Sequence, residues 1–356
     1  MEEGKSLNNP GPIIFFGSGE TLPASGKAYE FLARKIGQQP RISILETPAG
    51  FQPNSPEVAG EIADFLKKRL QNFTPQTHII PARKKGTRFS PENPEILSPI
   101  LQSNWIMMGP GSPTYAVNQL ENSLAYAYLV SMHRLGAALS LASAAVLALS
   151  AFTLPVYEIY KVGMDLHWQK GLNFFSNFGL DLIFIPHWNN QDGGDKLDTS
   201  RCYMGTNRFK KLHDQLPSDI TILGIDEQTA FCFDFKQPCI CEVFGKGGIT
   251  IIKEGEEQVI KSGGAISLSD FGDFHIPDSQ DLIDPKISAL IDAARVKDVL
   301  EPPPQVLSLL LERKTARAEK DWSISDKLRK EILKYGWSVK DTDAGQVLER
   351  STGDSS

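Results

Sequence analysis

The sequence lacks the segments that would place it in or across a membrane. None of its 356 residues lies in an apolar run of eighteen or more, so no transmembrane helix is predicted. The first residues, MEEGKSLNNPGP, have neither the basic nor the apolar region of a signal peptide, and a cytoplasmic location is therefore expected. The net charge of -6 leaves no global positive field that would gather nucleic acid.

Cysteine is also scarce, and neither a metal nor a cofactor is predicted. The four cysteines lack the paired CxxC spacing of a zinc site, and we expect reduced, mostly buried thiols. The stretch GSGE at 17 to 20 could suggest a phosphate loop, but no Lys-Ser/Thr follows it and the GxGxxG spacing is absent. The cysteines are Cys202, Cys232, Cys239 and Cys241.

What the sequence does have is a regular alternation of short β-rich runs and amphipathic helical stretches. This alternation predicts an α/β fold with a doubly wound, mostly parallel sheet and helices on both faces. Later β-rich runs, from ITILGID to GAISLSDF, are interpreted as antiparallel additions that close the domain near residue 275. The first strands are predicted at 12 to 19, 41 to 49, 77 to 82, 104 to 111 and 136 to 143.

The C-terminal part is predicted to be a separate small helical unit. The α/β domain is expected over residues 1 to 280, followed by a helix and a proline linker at 281 to 304, where EPPP cannot continue a helix. A helical hairpin is expected over 305 to 350, with its two helices joined near 321 to 325 and the second ended by Gly336.

The main candidate for chemistry is Ser143, a single hydroxyl at a predicted junction between strand and helix in GAALSLASAAVLAL. A nucleophile on such a turn is exposed at the carboxyl edge of the sheet, close to the free amides at a helix N-terminus. The alternative is that Ser143 is a helix N-cap, which is a common role of serine.

This stretch resembles the GxSAG nucleophile elbow of the cyanophycinase and peptidase E group (peptidase family S51), which has a class I glutamine amidotransferase-like fold. Further stretches match in the same order: FFGSGE, ETPAG, GPGSP, IPH at 185 to 187 and GIDEQTA. The resemblance implies a serine hydrolase that cleaves a peptide or an aspartyl or isopeptide-like amide. Leu141 and Ala145 replace the two elbow glycines, so a catalytically impaired binding or regulatory protein is the alternative.

The resemblance also implies the partners of the serine. His187, at the end of LDLIFIPH, matches the histidine that would act as general base, with His167 as its rival. Glu158, which lies between Ser143 and His187 in the chain, is predicted to orient the histidine. Asp165 and Asp181 are the alternatives for this carboxylate.

The remaining site residues are expected around the substrate carbonyl. The amides of Ala144 and Gly111 would hold the oxyanion, as donors after the serine and on a neighbouring strand end. Arginine suits the recognition of carboxylates. The predicted substrate-binding residues are Ser112, Asn189, Arg201 and Arg208, with Lys211 also in this region.

A second resemblance lies in the tail, which is similar to the C-terminal helical region of cysteinyl-tRNA synthetases. The synthetase motifs HIGH and KMSKS are absent, so the chain itself is not a synthetase. Residues 301 to 356 carry ten Lys and Arg against ten Asp and Glu, so they lack the excess of positive charge that strong RNA binding needs. A module that packs on the main domain is therefore favoured, and contact with tRNA or a protein partner is the alternative. Monomer and homodimer both remain open. The matching residues are Lys320, Asp321, Trp322, Asp326, Arg329, Gly336, Asp341, Thr342 and Gly345.

Overall fold

A computed structural model describes residues 9–277, 283–300, 302, 304–342 and 345–350. The chain divides into two compact units, Met1–Ser288 and Ala289–Ser356. This division falls inside the helix that the sequence predicted between 281 and 304. The first eight residues, which carry the expectation of no signal peptide, and part of the EPPP stretch lie outside the described residues.

The first unit contains short strands, several of which, such as Ile13–Phe16 and Ala138–Ala142, are buried along their whole length, whereas Glu256–Lys261 is mostly exposed. The strands are β1 (Ile13–Phe16), β2 (Arg41–Leu45), β3 (Gln76–Ile80), β4 (Trp105–Met108), β5 (Ala138–Ala142), β6 (Phe152–Thr153), β7 (Gln169–Lys170), β8 (Leu182–Pro186), β9 (Thr221–Ile225), β10 (Thr229–Phe233), β11 (Ile240–Gly245), β12 (Gly248–Lys253), β13 (Glu256–Lys261) and β14 (Ala265–Ser267).

Helices connect the early strands of this unit, as the alternating pattern predicted. They are α1 (Gly26–Ile36), α2 (Ser55–Arg69), α3 (Pro94–Leu97), α4 (Pro113–Leu120), α5 (Leu124–Arg134), α6 (Ala144–Ala148), α7 (Val156–Tyr160) and α8 (Gly205–His213). The next helix, α9 (Pro285–Leu300), contains the division between the two units.

The main sheet has the strand order β14-β11-β10-β1-β5-β4-β2-β3. Strands β3, β2, β4, β5 and β1 are parallel, and β10, β11 and β14 extend the sheet antiparallel from β1. This confirms the predicted α/β fold with a mostly parallel sheet. A second sheet has the strand order β13-β12-β9-β8. The prediction that β9 is an antiparallel addition was wrong in one respect, because β9 pairs parallel with β8.

Both faces of β1 are buried, because side chains alternate along a strand. Ile14 and Phe16 belong to a core formed with α1 and α2, in which Tyr29 and Leu66 are fully buried. On the opposite face an aromatic cluster forms, in which the rings of Phe15 and Phe184 stack with centroids 4.2 Å apart. The four cysteines are buried and unpaired, as expected.

The second unit is a helical hairpin that the sequence predicted, followed by a β-hairpin. Its elements are α10 (Pro304–Ala318), α11 (Trp322–Lys334), β15 (Trp337–Thr342) and β16 (Gly345–Arg350). Asp321 caps α11 by accepting a hydrogen bond from the Ile324 amide at 3.0 Å, and Gly336, with φ 75°, ends it. Val306, Ile332, Trp337 and Val339 form the buried core of this unit.

Candidate active site

Ser143 lies on a strained turn between β5 and α6. Its φ and ψ are 53° and -109°, a conformation that a residue with a side chain rarely adopts, and its side chain makes no cap hydrogen bond among the described residues. It is therefore not an N-cap in the ordinary sense. Such backbone strain costs about 1–3 kcal/mol and is commonly found at functional sites.

Leu141 does not prevent this turn. It is fully buried in β5, where it lies opposite Phe15 of β1 and Met108 of β4. Because the strained residue is Ser143 itself, Leu141 keeps ordinary strand geometry and contributes a side chain to the core. Ala145, the other departure from the glycine pattern, is also fully buried.

Substitution of Leu141 by glycine is expected to destabilise the protein without improving the site. Deleting a buried leucine side chain costs roughly 2–5 kcal/mol, and glycine adds about 0.5–1 kcal/mol of backbone entropy. Thermal unfolding of Leu141→Gly, compared with Leu141→Ala, measures this loss. Unchanged stability together with faster reaction of Ser143 with a fluorophosphonate would contradict the prediction.

The structure brings His187 directly to Ser143. His187 follows the last residue of β8, and its Nε2 lies 2.7 Å from Ser143 Oγ. The two residues come from different sheets, since β5 belongs to the main sheet and β8 to the second one. This distance is within the range in which a base accepts a hydroxyl proton.

On its other side, His187 faces Glu227. Its Nδ1 lies 3.4 Å from Glu227 Oε1, and the same oxygen accepts a hydrogen bond from Asn190 Nδ2 at 2.8 Å. These contacts lower the pKa of Glu227, the His187 contact being the largest cause and the Asn190 hydrogen bond a further one. An ionised Glu227 favours a proton on Nδ1, which leaves Nε2 free to accept one from Ser143.

Glu227, and not the predicted Glu158, is the carboxylate that lies against the His187 ring. Glu158 lies on α7, where its Oε1 accepts a hydrogen bond from Thr114 Oγ1 at 2.5 Å. It therefore ties α7 to the start of α4. The parallel pairing of β8 with β9 sets Pro186 opposite Ile225, so the chain leaves both strands at the same edge and Glu227 reaches the histidine instead.

The alternatives that the sequence left open are placed elsewhere. His167 Nδ1 lies 2.8 Å from the carbonyl oxygen of Asp165, two residues before it. Asp181 precedes β8, whereas His187 follows it, so the two are separated by roughly 20 Å of extended chain. Neither carboxylate is hydrogen-bonded to the His187 ring in the described part of the chain.

Gly111 and Ala144, whose amides the sequence predicted as oxyanion donors, both lie at the cavity that contains Ser143. Ala144 is the first residue of α6, and an amide in that position has no intrahelical acceptor. Gly111 has φ 150°, and a Cβ at this position would lie 1.9 Å from the Pro48 carbonyl oxygen, so only glycine fits. Both residues line the cavity that opens on Ser143.

This cavity has a volume of about 310 Å³. Ser143 and His187 are part of the lining, and the other lining residues in the described part of the chain are mostly aromatic or aliphatic, with one lysine among them. The lining residues are Gly111, Pro113, Ser143, Ala144, Leu147, Val156, Tyr157, Tyr160, Lys161, His187, Cys202 and Tyr203.

The four predicted substrate-binding residues do not line this cavity. Ser112 accepts a hydrogen bond from the Tyr115 amide and caps α4, and Asn189 Oδ1 accepts one from the Glu227 amide. The two arginines are likewise occupied within the protein. Arg201 donates to the Trp188 carbonyl and stacks over its ring, and Arg208 donates to the carbonyls of Met204 and Tyr203.

Sequence reasoning missed three residues of the site: Glu227, Lys161 and Tyr203. The sequence does show that Asp226 and Glu227 directly follow the strand-like run ITILGI, which is a position typical of site residues. Only the structure shows that this strand pairs with the one that precedes His187. Lys161 and Tyr203 gave no comparable signal.

Comparison with solved structures identifies the class of fold. The chain has the fold of a peptidase from an acI-B1 actinobacterium, with a TM-score of 0.59, 22% identity, and coverage of 74% of this chain and 98% of the other. The resemblance expected from the sequence is thereby confirmed for the fold: this is an α/β protein with a peptidase-like fold. A putative peptidase E protein from Listeria monocytogenes EGD-e overlaps 71% of the chain and 98% of its own, at a TM-score of 0.42 and 14% identity.

The tail matches a different kind of protein. Residues 301–347 match the cysteinyl-tRNA ligase anticodon binding domain, which confirms the second resemblance. The cysteine–tRNA ligase of Rubrobacter xylanophilus is 40% identical over 60 residues, 17% of this chain and 13% of the ligase. The cysteine–tRNA ligase 1 of Burkholderia lata is 47% identical over 49 residues, 14% of this chain and 10% of the ligase. The chain thus spans only about a tenth of the length of these relatives.

Among the described residues, no helix is both long enough and apolar enough to cross a membrane.

Proposed function

We propose that this protein is a serine hydrolase of the S51 type that cleaves a peptide or an aspartyl or isopeptide-like amide. The observation that carries the proposal is the 2.7 Å contact between Ser143 Oγ and His187 Nε2 at a strained turn. Ser143 is the nucleophile and His187 the general base and acid. Glu227 takes the orienting role that the sequence had assigned to Glu158.

In the first step, Ser143 Oγ attacks the carbonyl carbon while its proton passes to His187 Nε2. The negative charge on the carbonyl oxygen is held by the amides of Gly111 and Ala144. When the intermediate collapses, the C–N bond breaks and the leaving nitrogen takes the proton from His187. An acyl group then remains on Ser143.

In the second step, water replaces the amine. His187 Nε2 removes a proton from water as its oxygen attacks the acyl carbon, and then returns that proton to Ser143 Oγ as the ester bond breaks. Glu227 stabilises the imidazolium that forms in both steps, because its carboxylate faces Nδ1. A thiol is not available for amidotransfer at this turn, since residue 143 is serine.

Labelling of the intact chain with a fluorophosphonate tests the proposal. An activated serine is phosphonylated, and we expect one adduct, located on the peptide that contains Ser143. Prior denaturation of the chain is the control, since it should remove the reaction. No adduct on Ser143 in the folded protein would overturn the proposal.

A second candidate function, contact with tRNA, is favoured by the match of residues 301–347 to an anticodon binding domain. Within this unit, Arg313 and Arg317 pair with Asp341 and lower its pKa, the Arg313 hydrogen bonds being the largest cause. The exposed cations that remain for phosphate contacts include Lys327 and Lys330 of α11.

We expect weak, salt-dependent binding of tRNA in a filter-binding assay. Lys327→Glu with Lys330→Glu should weaken it and reduce the salt slope by about one for each phosphate contact that is lost. Lys67→Glu with Lys68→Glu, on exposed positions of α2, is the matched control. Equal binding by both double variants would contradict this second function.

A further inference from the structure

We infer that the cavity beside Ser143 is a subsite for an aromatic or bulky apolar side chain on the acyl side of the cleaved bond, with Tyr203 as its specificity-determining wall. This inference rests on the proposed function and deepens it, because it selects a peptide with an aromatic or bulky apolar acyl residue over the aspartyl amide that the proposed function also allows. The pocket is lined by Ser143 and by Gly111 and Ala144, the residues that hold the oxyanion in the proposed mechanism, so it is placed to receive a substituent of the attacked carbonyl, which we assign to the acyl side. Its lining therefore decides which substrates react.

Aromatic rings form the side of this cavity that faces His187. The ring of Tyr203 lies 6.0 Å from the His187 ring and 5.3 Å from the ring of Tyr160, centroid to centroid. The Tyr203 hydroxyl donates a hydrogen bond to Asp192 Oδ2 at 2.9 Å, so its polar end is already occupied. The rings of Tyr203 and Tyr160 therefore contribute mainly apolar surface to the lining.

The chain is built to hold Tyr203 in this place. Arg201, Cys202 and Tyr203 have φ angles of 56°, 57° and 69°, a run of left-handed residues that is strained because each carries a Cβ. Asp198 closes the turn by accepting hydrogen bonds from the amides of Ser200 and Thr206. A strained turn next to the candidate base persists only where hydrogen bonds and packing such as these stabilise it.

The two arginines expected to bind substrate carboxylates support this turn instead. Arg201 stacks 3.9 Å from the centroid of the Trp188 ring, and Arg208 donates to the Tyr203 carbonyl at 2.7 Å. Consequently, none of the described residues that line the cavity is an arginine that could bind an acidic side chain with two parallel hydrogen bonds. Burial raises the pKa of the Cys202 thiol, so this residue adds a neutral surface to the wall.

Lys161 is the single lysine or arginine in the lining, and no carboxylate lies there among the described residues. Its Nζ lies 4.8 Å from the centroid of the Tyr157 ring. A basic substrate side chain would be repelled by Lys161 and find no counter-ion. An acidic one would meet a single amine and otherwise apolar surface, whereas an uncharged ring would contact the walls without losing polar contacts.

The size of the cavity agrees with one side chain. Its volume of about 310 Å³ lies at the lower end of the roughly 300–1,000 Å³ that ligand pockets span. It is too small for several residues of a polymer at once. The subsite therefore accommodates the side chain of one substrate residue.

A series of N-acylated amino acid p-nitrophenyl esters tests the inference on the intact chain. The acyl residues are Phe, Leu, Gly, Asp and Arg, and the active sites are counted by fluorophosphonate titration. We expect kcat/KM for the Phe ester to exceed those for the Asp and Arg esters by at least about tenfold. Equal rates across the series, or a preference for Asp or Arg, would overturn the inference.

Substitutions distinguish the contribution of the Tyr203 ring to substrate preference from that of the Lys161 charge. Tyr203→Ala should lower the ratio of kcat/KM for Phe over Gly by at least about tenfold, and Tyr203→Phe should restore it. Tyr335→Ala, an exposed tyrosine of the second unit, is the matched control and should leave the ratio unchanged. An Asp preference that disappears in Lys161→Met would show that the amine, not the aromatic wall, selects the substrate.

The outcome for the subsite and that for the proposed function can be distinguished. Labelling of Ser143 without a preference for the Phe ester overturns only the subsite. Absence of labelling overturns the hydrolase itself and the subsite with it.

Discussion

Ser143→Ala removes fluorophosphonate labelling and lowers kcat for any ester or amide substrate by roughly 10⁴-fold or more. The reason is that the hydroxyl 2.7 Å from His187 Nε2 is the one nucleophile in the proposed mechanism. What activity remains comes from the oxyanion donors, which the substitution leaves in place. Stopped assays with the p-nitrophenyl esters and mass spectrometry of the labelled chain measure both effects.

Ser176→Ala is the matched control for this variant, because Ser176 is an exposed serine whose hydroxyl donates a hydrogen bond to the Asn173 carbonyl. It should keep full labelling and turnover. Thermal unfolding of both variants shows whether the chain remains folded. Persistent labelling or turnover in Ser143→Ala would mean that another nucleophile does the chemistry.

Glu227→Gln is expected to lower kcat by about 10²–10⁴-fold with little change in KM. A glutamine presents a neutral amide to Nδ1, so it neither stabilises the imidazolium nor favours the tautomer in which Nε2 accepts the Ser143 proton. Glu158→Gln is the matched control: it removes the same charge from a carboxylate bonded to Thr114 and should change kcat by less than about tenfold. Steady-state kinetics on the same ester compare the two.

The pH dependence of stability provides a second measure of Glu227. Its pKa is lowered in the folded protein, chiefly by the His187 contact, so its contribution is present above the unfolded pKa of about 4.3 and is lost as pH falls through the folded pKa. Acid unfolding of Glu227→Gln should therefore be less steep in this range than that of the wild-type chain.

A larger loss of kcat in Glu158→Gln than in Glu227→Gln would contradict the assignment of Glu227 as the carboxylate that orients His187.

Much of the fold was predictable because strands and helices are indicated by the spacing of apolar residues within short segments of the sequence. The five parallel strands of the main sheet were predicted within a few residues of their bounds, since each is a short apolar run between amphipathic helices. The helices of the tail were predicted from the proline stretch before them and from Gly336 after them. The pairing of β9 with β8 was missed, since strand partners are not encoded in the period of a single strand.

The residues of the candidate site also fall into two groups, those that the sequence predicted and those that only the structure placed. Ser143 stood out because it follows a predicted strand, and the resemblance described above pointed to His187 and Gly111 near the ends of two other predicted strands. The orienting carboxylate did not, since Glu158 and Glu227 look alike as residues and differ only in which strand end or helix carries them. Likewise, Arg201 and Arg208 follow the histidine in the chain, but the turn at 201 to 203 directs them to Trp188 and to backbone carbonyls.

The sequence by itself determined the α/β class, the serine at a junction of strand and helix, and the separate tail, because these follow from local periodicity, capping and motif spacing. The tertiary structure alone decided that Ser143 meets His187 across two sheets and that Glu227 faces the histidine. It also showed that Leu141 fits beside a strained serine and that tyrosines line the cavity. Contacts between distant segments depend on how strands pair, and a shift in that pairing would bring different side chains together.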